Sequence, residues 1–244
     1  MPGLFDSLQA TARALEAQQY ALETVGQNIA NVNTPGYSRR EVDLAEVAPT
    51  GKFSTGGVTV AGVRANRDSF TERRLWNENP LDQQQRTLAS LLGAAQNAVG
   101  APGQALDADL TSFFDAFANL AQSPTSGPAR QTLILQAQSL GVSFAQVSDQ
   151  WTSLQRDIDQ QVRSVVADIN QYSKQIASLN ATLAQAGGET SIVGQTVADQ
   201  LHAAVDGLSG LIQIGVTTNP DGQVNISYSG GALVMGAHSY ALTT

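Results

Sequence analysis

The chain has 244 residues and no cysteine, and its 13 Lys and Arg against 21 Asp and Glu give a formal net charge of −8. This charge has the wrong sign for a protein that neutralises phosphates, so we predict no nucleic-acid partner. The absence of thiols excludes disulfides, thiolate catalysis and cysteine-based zinc sites. The length is sufficient for one large domain or two ordinary ones.

The start of the chain does not look like a cleaved export leader. Asp6, Arg13 and Glu16 interrupt any apolar stretch there, so we expect no cleavable secretory signal. No stretch approaches the ~18 apolar residues that a membrane span needs. We therefore predict no membrane partner, and we expect the chain to keep its N-terminus if it is exported.

The first predicted element is a helix with a seven-residue repeat, formed by Leu8, Leu15, Leu22 and Ile29. A strict interval of seven keeps an apolar stripe facing a supercoiled partner helix, whereas a helix on a globular core can drift with the 3.6-residue period. We therefore predict coiled-coil packing through these four residues, with an ordinary core helix as the alternative.

A turn ends this helix at Asn31, Asn33, Thr34, Pro35, Gly36 and Tyr37. Pro35 cannot donate a backbone hydrogen bond, and Gly36 tolerates the positive φ of a type II turn. The alternation of Val42 with Leu44, and of Val58 with Val60, then predicts two short strands on either side of the glycines at 51, 56 and 57.

Two helices are predicted next, over Ser69 to about Gly100 and over Leu106–Leu120. Pro80 predicts a break or kink near Asn79 in the first of them. In the second, the phenylalanines at 113, 114 and 117 cluster on one face, and we expect them to belong to the core.

The longest apolar pattern in the chain predicts one helix over about 129–186. Its apolar residues follow one another at alternating intervals of four and three: Leu133, Ala137, Leu140, Phe144, Val147, Trp151, Leu154, Ile158, Val162, Val165, Ile169, Tyr172, Ile176, Leu179 and Leu183. Two consecutive intervals of four around Ile158 and Val162 form a stutter. At 1.5 Å per residue the pattern describes a rod about 75 Å long, and we expect another helix to cover it.

The last part of the chain changes from helix to strand. Gly187 and Gly188 end the rod, and a shorter helix is predicted from about Ser191 to Leu211. Strands are then predicted around 212–216 and 224–228, on either side of the turn Asn219-Pro-Asp-Gly222, with a further short pair at 233–235 and 240–242. We expect this to be the start of a β-rich domain whose remaining strands are not in the chain.

Together these elements predict a mainly α protein with a smaller β part. Long heptad helices would form an elongated coiled-coil or helical-bundle rod, with a short β-hairpin after the N-terminal helix and an incomplete β-rich domain at the C-terminus. The predicted divisions are 1–36 for the axial helix and turn, 37–65 for the hairpin, 66–211 for the helical bundle and 212–244 for the β-rich part.

No arrangement of residues predicts catalysis. His202 and His238 are the only histidines and lie 36 residues apart, without carboxylates at metal-ligand spacing. Gly51-Lys52 lacks the preceding glycine of a phosphate-binding loop. Glu72, Glu78 and Asp82 alternate with arginines, as on a helix surface. We predict no enzyme, no catalytic, cofactor-binding or metal-binding residues, no cofactor and no small-molecule substrate.

Residues 27–40, QNIANVNTPGYSRR, resemble the N-terminal signature of the axial proteins of the bacterial flagellum. The segment over 106–144, with DAFANLAQSP at 115–124 and ARQTL at 129–133, resembles the hook-associated protein 1 family of hook–filament junction proteins. This resemblance implies a structural protein of the extracellular flagellum, exported uncleaved by the flagellar type III system. The partners that it implies are copies of the chain in a ring, the hook protein and the next hook-associated protein, with an export chaperone as a further candidate.

In that family the N-terminal helix pairs with a C-terminal helix, and no heptad segment follows residue 244 here. The resemblance therefore implies a C-terminally truncated chain whose first helix is mobile or borrows a neighbour. Arg39 and Arg40, which follow the turn, are expected to pair with acidic neighbours or to be solvated. The alternative functions are another flagellar axial protein, from the distal rod or hook, and a secreted coiled-coil binding protein.

Overall fold

A computed structural model describes residues 4–49, 56–100 and 106–243. The elements in chain order are α1 (Leu4–Ala30), β1 (Arg40–Val47), β2 (Gly57–Ala65), α2 (Ser69–Val99), α3 (Leu106–Gln122), α4 (Gly127–Gln185), α5 (Ile192–Ser209), β3 (Gly215–Thr218), β4 (Val224–Tyr228), β5 (Gly231–Met235) and β6 (His238–Ser239). The predicted fold class, mainly α with a smaller β part, is confirmed.

The chain divides into two compact units. Unit 1 contains the residues up to Leu81 together with Ala167–Thr243, and unit 2 contains Asp82–Val166. Helices α2 and α4 each contribute residues to both units.

In unit 1, β1 and β2 form the predicted antiparallel hairpin, with Arg40 opposite Ala65. Helix α1 packs on this hairpin through small side chains, and Ala17 and Thr24 are each only 2% exposed. Of the glycines expected between the two strands, Gly51 lies outside the described residues.

Helix α2 runs without interruption through Pro80, so of the predicted break or kink near Asn79 the break is wrong. A proline inside a helix removes one backbone hydrogen bond, to the carbonyl four residues earlier, which here belongs to Trp76. Trp76 and Pro80 are both buried. We attribute the continuity of the helix to this packing, which offsets the lost bond.

Helix α3 ends before Pro124 as predicted, but its phenylalanines do not form a common core. Phe114 is 60% and Phe117 is 56% exposed. The face that is turned inward in unit 2 carries Ala116 and Asp109 instead, because the Asp109 carboxylate accepts hydrogen bonds from two serines of α4, Ser139 and Ser143.

The long helix is confirmed as one element, α4. It ends at Gly187 and Gly188, which both have φ near +80° and so adopt the left-handed conformation that glycine tolerates. Within unit 1 the heptad positions 169, 176 and 183 are buried. Within unit 2, Phe144 and Trp151 on the same pattern remain 51% and 44% exposed.

The strands of the C-terminal part form one antiparallel sheet in the order β3-β4-β5-β6. The prediction of a strand at 240–242 is wrong, since β6 is His238–Ser239. Gly236, at φ +56°, allows the chain to reverse at once after β5. The backbone of Leu242 is bound instead by Asn170 of α4, which donates to its carbonyl at 2.9 Å and accepts from its N–H at 2.7 Å.

The core of unit 1 joins this sheet to α5 and to the end of α4. Its buried apolar side chains are Ile169, Ile176, Leu183, Val197, Leu201, Val205, Leu208, Ile214, Val224, Ile226, Leu233 and Val234. The heptad pattern at the end of α4 is therefore covered by a sheet and a helix together, so the expectation that only another helix would cover it is wrong for this part.

Asn180 is a polar residue at the centre of this core, with no exposed surface. Its amide nitrogen donates to the carbonyls of Val224 and Gly236, both at 2.7 Å, and its amide oxygen accepts from the Val224 N–H at 3.0 Å. The side chain therefore satisfies three backbone groups of the sheet that would otherwise be buried without partners.

We predict that Asn180→Leu lowers the free energy of unfolding by about 3 kcal/mol, because it leaves buried backbone groups without hydrogen bonds. Urea denaturation followed by circular dichroism measures the change. Thr182→Ala is the control, because the Thr182 hydroxyl is exposed and only bonds the carbonyl of Ser178. Equal stability of the two variants would contradict this role of Asn180.

Candidate assembly surface and the motif turn

The seam, which we define as Leu8, Leu15, Leu22 and Ile29, lies on one exposed stripe of α1. These four side chains are 68%, 59%, 71% and 69% exposed, in that order. Val25 and Val32 flank the stripe and are also exposed. Because Ala17 and Thr24 face the hairpin, the large apolar residues of α1 point away from the core of unit 1.

An exposed apolar stripe of this kind is a candidate surface for association. Burying one large aliphatic side chain stabilises a complex by about 1.5–3 kcal/mol relative to leaving it in water. The seven-residue spacing presents the four seam residues along one line, the geometry that a supercoiled partner helix requires.

The turn after α1 has the conformation that its sequence predicts. Gly36 has φ +80°, and the Tyr37 N–H donates to the Thr34 carbonyl at 3.2 Å, closing the turn over Pro35. The Thr34 hydroxyl donates in turn to the side chain of Asn31 at 3.2 Å. Asn33, by contrast, is exposed.

Asn28 joins the end of α1 to the start of β1, a role that sequence analysis missed. Its amide nitrogen donates to the Arg40 carbonyl and its amide oxygen accepts from the Arg40 N–H, both at 2.9 Å. The Tyr37 hydroxyl donates to the same oxygen at 3.0 Å. Asn28 thus pairs with Arg40 as a neighbouring strand would.

Arg40 extends from this junction to α5. Its guanidinium donates to Asp199 Oδ2 at 2.9 Å and to the Thr196 hydroxyl at 3.1 Å, and it lies 4.9 Å from the centre of the Tyr37 ring. Its side chain is only 4% exposed. The expected pairing of Arg40 with an acidic residue is therefore present, and Arg39 pairs at the surface with Glu41.

A second arginine binds the other oxygen of the same carboxylate. Arg67, just after β2, contacts Asp199 Oδ1 at 2.5 Å and Glu72 Oε1 at 3.0 Å. Sequence analysis did not identify Arg67 or Asp199, since the two positions are 132 residues apart. We call Arg40, Arg67 and Asp199 the arginine clamp.

His202 lies beside the clamp among charged groups of α2 and α5. Its Nδ1 is 3.4 Å from Glu72 Oε2, but it is buried without a hydrogen bond in the described part of the chain. The ring stacks on Trp76, whose Nε1 donates to Asp206 at 2.5 Å. Burial, reinforced by the nearby Arg67, lowers the pKa of His202 to about 4.

No chemistry of small molecules is evident at this site. Among residues 4–49, 56–100 and 106–243, no group of three or more His, Cys, Asp or Glu could hold a metal ion. A groove of about 370 Å³ beside the turn is lined by Gln27, Asn31, Tyr37, Thr196 and Gln200, among others, and its buried charges are already paired in the clamp. None of the described helices is long and apolar enough to cross a membrane.

His202 makes the stability of the chain depend on pH. Between about pH 6.5 and pH 4 the unfolded chain binds a proton that the folded chain does not bind. The free energy of unfolding therefore falls as the pH falls, by at most about 1.4 kcal/mol per pH unit. Burial raises the pKa of Glu72, so as the pH falls Glu72 takes up its proton at a higher pH in the folded chain than in the unfolded chain. This proton uptake opposes the loss of unfolding free energy at the acidic end of the range.

We predict that His202→Gln flattens the dependence of unfolding free energy on pH between pH 7 and pH 5.5, because it removes this proton uptake by the unfolded chain. Urea denaturation at several pH values measures the slope. His238→Gln, at an exposed histidine, is the control and should keep the wild-type slope. An unchanged slope in His202→Gln would contradict the prediction.

Two family models match the chain. The helical domain of the flagellar hook-associated protein FlgK matches residues 92–244, and the flagella basal body rod protein model matches residues 8–37. The second match includes both the seam and the turn at residues 31–37.

Individual relatives agree with these matches. Flagellar hook-associated protein 1 of Salmonella typhimurium is 32% identical over 91% of this chain and 41% of its own length. The Bacillus subtilis protein of the same name is 28% identical over 91% of this chain and 46% of its own length. The chain thus spans less than half the length of these relatives.

A solved structure is also similar. The flagellar hook junction protein FlgK from Burkholderia pseudomallei superposes with a TM-score of 0.63 at 28% identity, over 69% of this chain and 30% of that chain. Because the FlgK helical-domain model covers more than half of the sequence, the chain belongs to the flagellar hook-associated protein FlgK family.

Proposed function

We propose that this chain belongs to a structural component of the extracellular bacterial flagellum, a junction protein that links the hook to the filament. The observation that carries the proposal is the exposed seam on α1, a helix whose opposite face already packs on its own hairpin. The relatives matched over 91% of the chain are hook-associated proteins, which supports this place in the flagellum.

In this proposal the seam is buried against helices of neighbouring copies arranged in a ring. The axial helix and turn correspond to residues 1–36, of which 1–3 lie outside the described residues, and Pro35, Gly36 and Tyr37 set the angle at which the chain leaves that helix. The other residues of the turn, Asn31, Asn33 and Thr34, belong to the same motif.

The partners follow from this place in the assembly. The hook protein lies on one side of the ring and the next hook-associated protein on the other. The chain reaches the cell exterior uncleaved through the flagellar type III system, with an export chaperone as a further partner. The role is mechanical and requires no catalysis, cofactor or metal, in keeping with the structural flagellar proteins to which the chain is related.

The alternative functions fit less well. A distal rod or hook protein shares the N-terminal signature, but the match to the FlgK helical domain over 92–244 favours a hook-associated protein. A secreted coiled-coil binding protein accounts for the heptads and leaves unexplained the turn at 31–37, which the rod-protein model also covers.

We predict that Leu15→Asp combined with Leu22→Asp in the full-length protein abolishes its incorporation at the hook–filament junction. Two carboxylates in the seam would have to be buried without partners in a coiled coil. Immunoelectron microscopy of flagella from a strain that makes only the variant measures incorporation, and swimming assays measure motility.

The control is Gln9→Asp combined with Gln19→Asp, which adds the same charge to exposed polar positions of α1 beside the seam. We expect normal incorporation from the control and an intact helical circular dichroism spectrum from both variants. Normal motility of the Leu15→Asp, Leu22→Asp variant would contradict the proposed function.

A further inference from the structure

The direction of α1 within unit 1 depends on how the hairpin is attached to α5. Residues 31–39, between α1 and β1, contain no helix or strand. Asn28 binds the end of α1 to Arg40, and α1 packs on both strands, so α1 and the hairpin form one piece. The contacts between this piece and α5 therefore determine where the seam is presented.

The carboxylate of Asp199, in the middle of α5, binds an arginine from each end of the hairpin. Arg40 is the first residue of β1, and Arg67 lies two residues after the end of β2. They approach different oxygens of Asp199, Arg40 at Oδ2 and Arg67 at Oδ1. Two contacts on one side chain restrict rotation of the hairpin about that point more than a single contact would.

The contacts of the arginine clamp are both buried and directional. The side chains of Arg40, Asp199 and Arg67 are 4%, 11% and 15% exposed, so water does not readily replace either partner. The planar guanidinium group donates along fixed directions and therefore specifies an angle as well as a distance. A buried ion pair often adds little net stability compared with apolar residues of the same size. We therefore assign the clamp a role in fixing geometry rather than a role in stability.

A second attachment lies further along the hairpin and differs in kind. The Val63 N–H of β2 donates to the Thr190 carbonyl at 3.0 Å, and the Gln195 side chain donates to the Val63 carbonyl at 3.2 Å. These contacts hold one point of β2 beside the start of α5. The two ends of the hairpin are bound to α5 by the arginine clamp instead.

We infer that Asp199 is a positioning residue for assembly: with Arg40 and Arg67 it fixes the direction of α1 relative to α5, and so the direction in which the seam meets a neighbouring subunit. This inference rests on the proposed function. Asp199 itself lies in the clamp and not on the seam, so it acts through the orientation of α1.

The absence of cysteine in the sequence allows a direct measurement on the chain itself. Spin labels at Gln19→Cys on α1 and Thr217→Cys on β3 occupy exposed positions of unit 1. Electron paramagnetic resonance then gives the distribution of distances between them. We expect Asp199→Asn to broaden this distribution about twofold or to shift its maximum, because loss of the charge populates other orientations of the hairpin.

The matched control is Asp43→Asn, which removes one negative charge from an exposed ion pair of the same hairpin, 3.7 Å from Arg64. It should leave the distribution unchanged. The second variant, Arg40→Met with Asp199→Leu, replaces the buried pair by apolar side chains and avoids leaving Arg40 buried without its partner. Arg67 loses Asp199 in this variant but keeps its ion pair with Glu72 at 3.0 Å. We expect it to keep the midpoint of urea denaturation near that of the wild type while broadening the distribution as Asp199→Asn does.

If the distance distribution stays as narrow as that of the wild type in both clamp variants, the inference is overturned, regardless of whether these variants are incorporated at the junction. A broadened distribution with reduced incorporation at the junction in the full-length protein would support it. A broadened distribution with normal incorporation would overturn the link to assembly, while the proposed function would still be judged by Leu15→Asp with Leu22→Asp. Reduced incorporation of Asp43→Asn to the same extent as Asp199→Asn would also overturn the link to assembly, because loss of any carboxylate of the hairpin would then have the same effect.

Discussion

Helix α1 has two opposite faces of different composition, and its own hairpin covers only one of them. The face that packs inward carries small residues such as Ala17 and Thr24, which let the helix lie close to β1 and β2. The outward face carries the leucines of the seam. In a monomeric globular protein the large apolar residues would be inside, so this reversed distribution is typical of a helix that associates with another chain.

In our inference, the polar contacts around the turn at residues 31–37 give that exposed face a defined direction. A hydrophobic seam alone could be presented at many angles, because burial of apolar surface has no preferred direction. Asn28, Arg40 and Asp199 supply directional bonds at the junction of helix, hairpin and α5. In the proposed assembly the apolar seam and these polar contacts have complementary roles: the seam would provide the free energy of association, and the polar contacts would set its geometry.

Sequence patterns identified the elements well where the cause of the structure is local. The repeat of α1, the turn at Gly36 and the length of α4 follow from periodicity and from the conformational limits of proline and glycine. The arginine clamp could not be predicted in this way, since Arg40 and Asp199 are 159 residues apart and no local pattern marks either of them. Sequence analysis correctly expected an acidic partner for Arg40 without being able to name it.

The errors of prediction arise where tertiary packing overrides a local rule. Pro80 does not break α2, and Phe114 and Phe117 of α3 lie at the surface instead of in a core. The end of α4 shows the same limit for heptads: its positions at 169, 176 and 183 repeat by seven, yet a sheet shares in covering them, with Asn180 supplying the hydrogen bonds that strands require from a helix. A heptad therefore specifies which face of a helix is apolar, but it does not specify whether a helix or a sheet packs against that face. For the seam of α1 the exposed apolar stripe is observed, and its pairing with a helix of a neighbouring copy belongs to the proposed function.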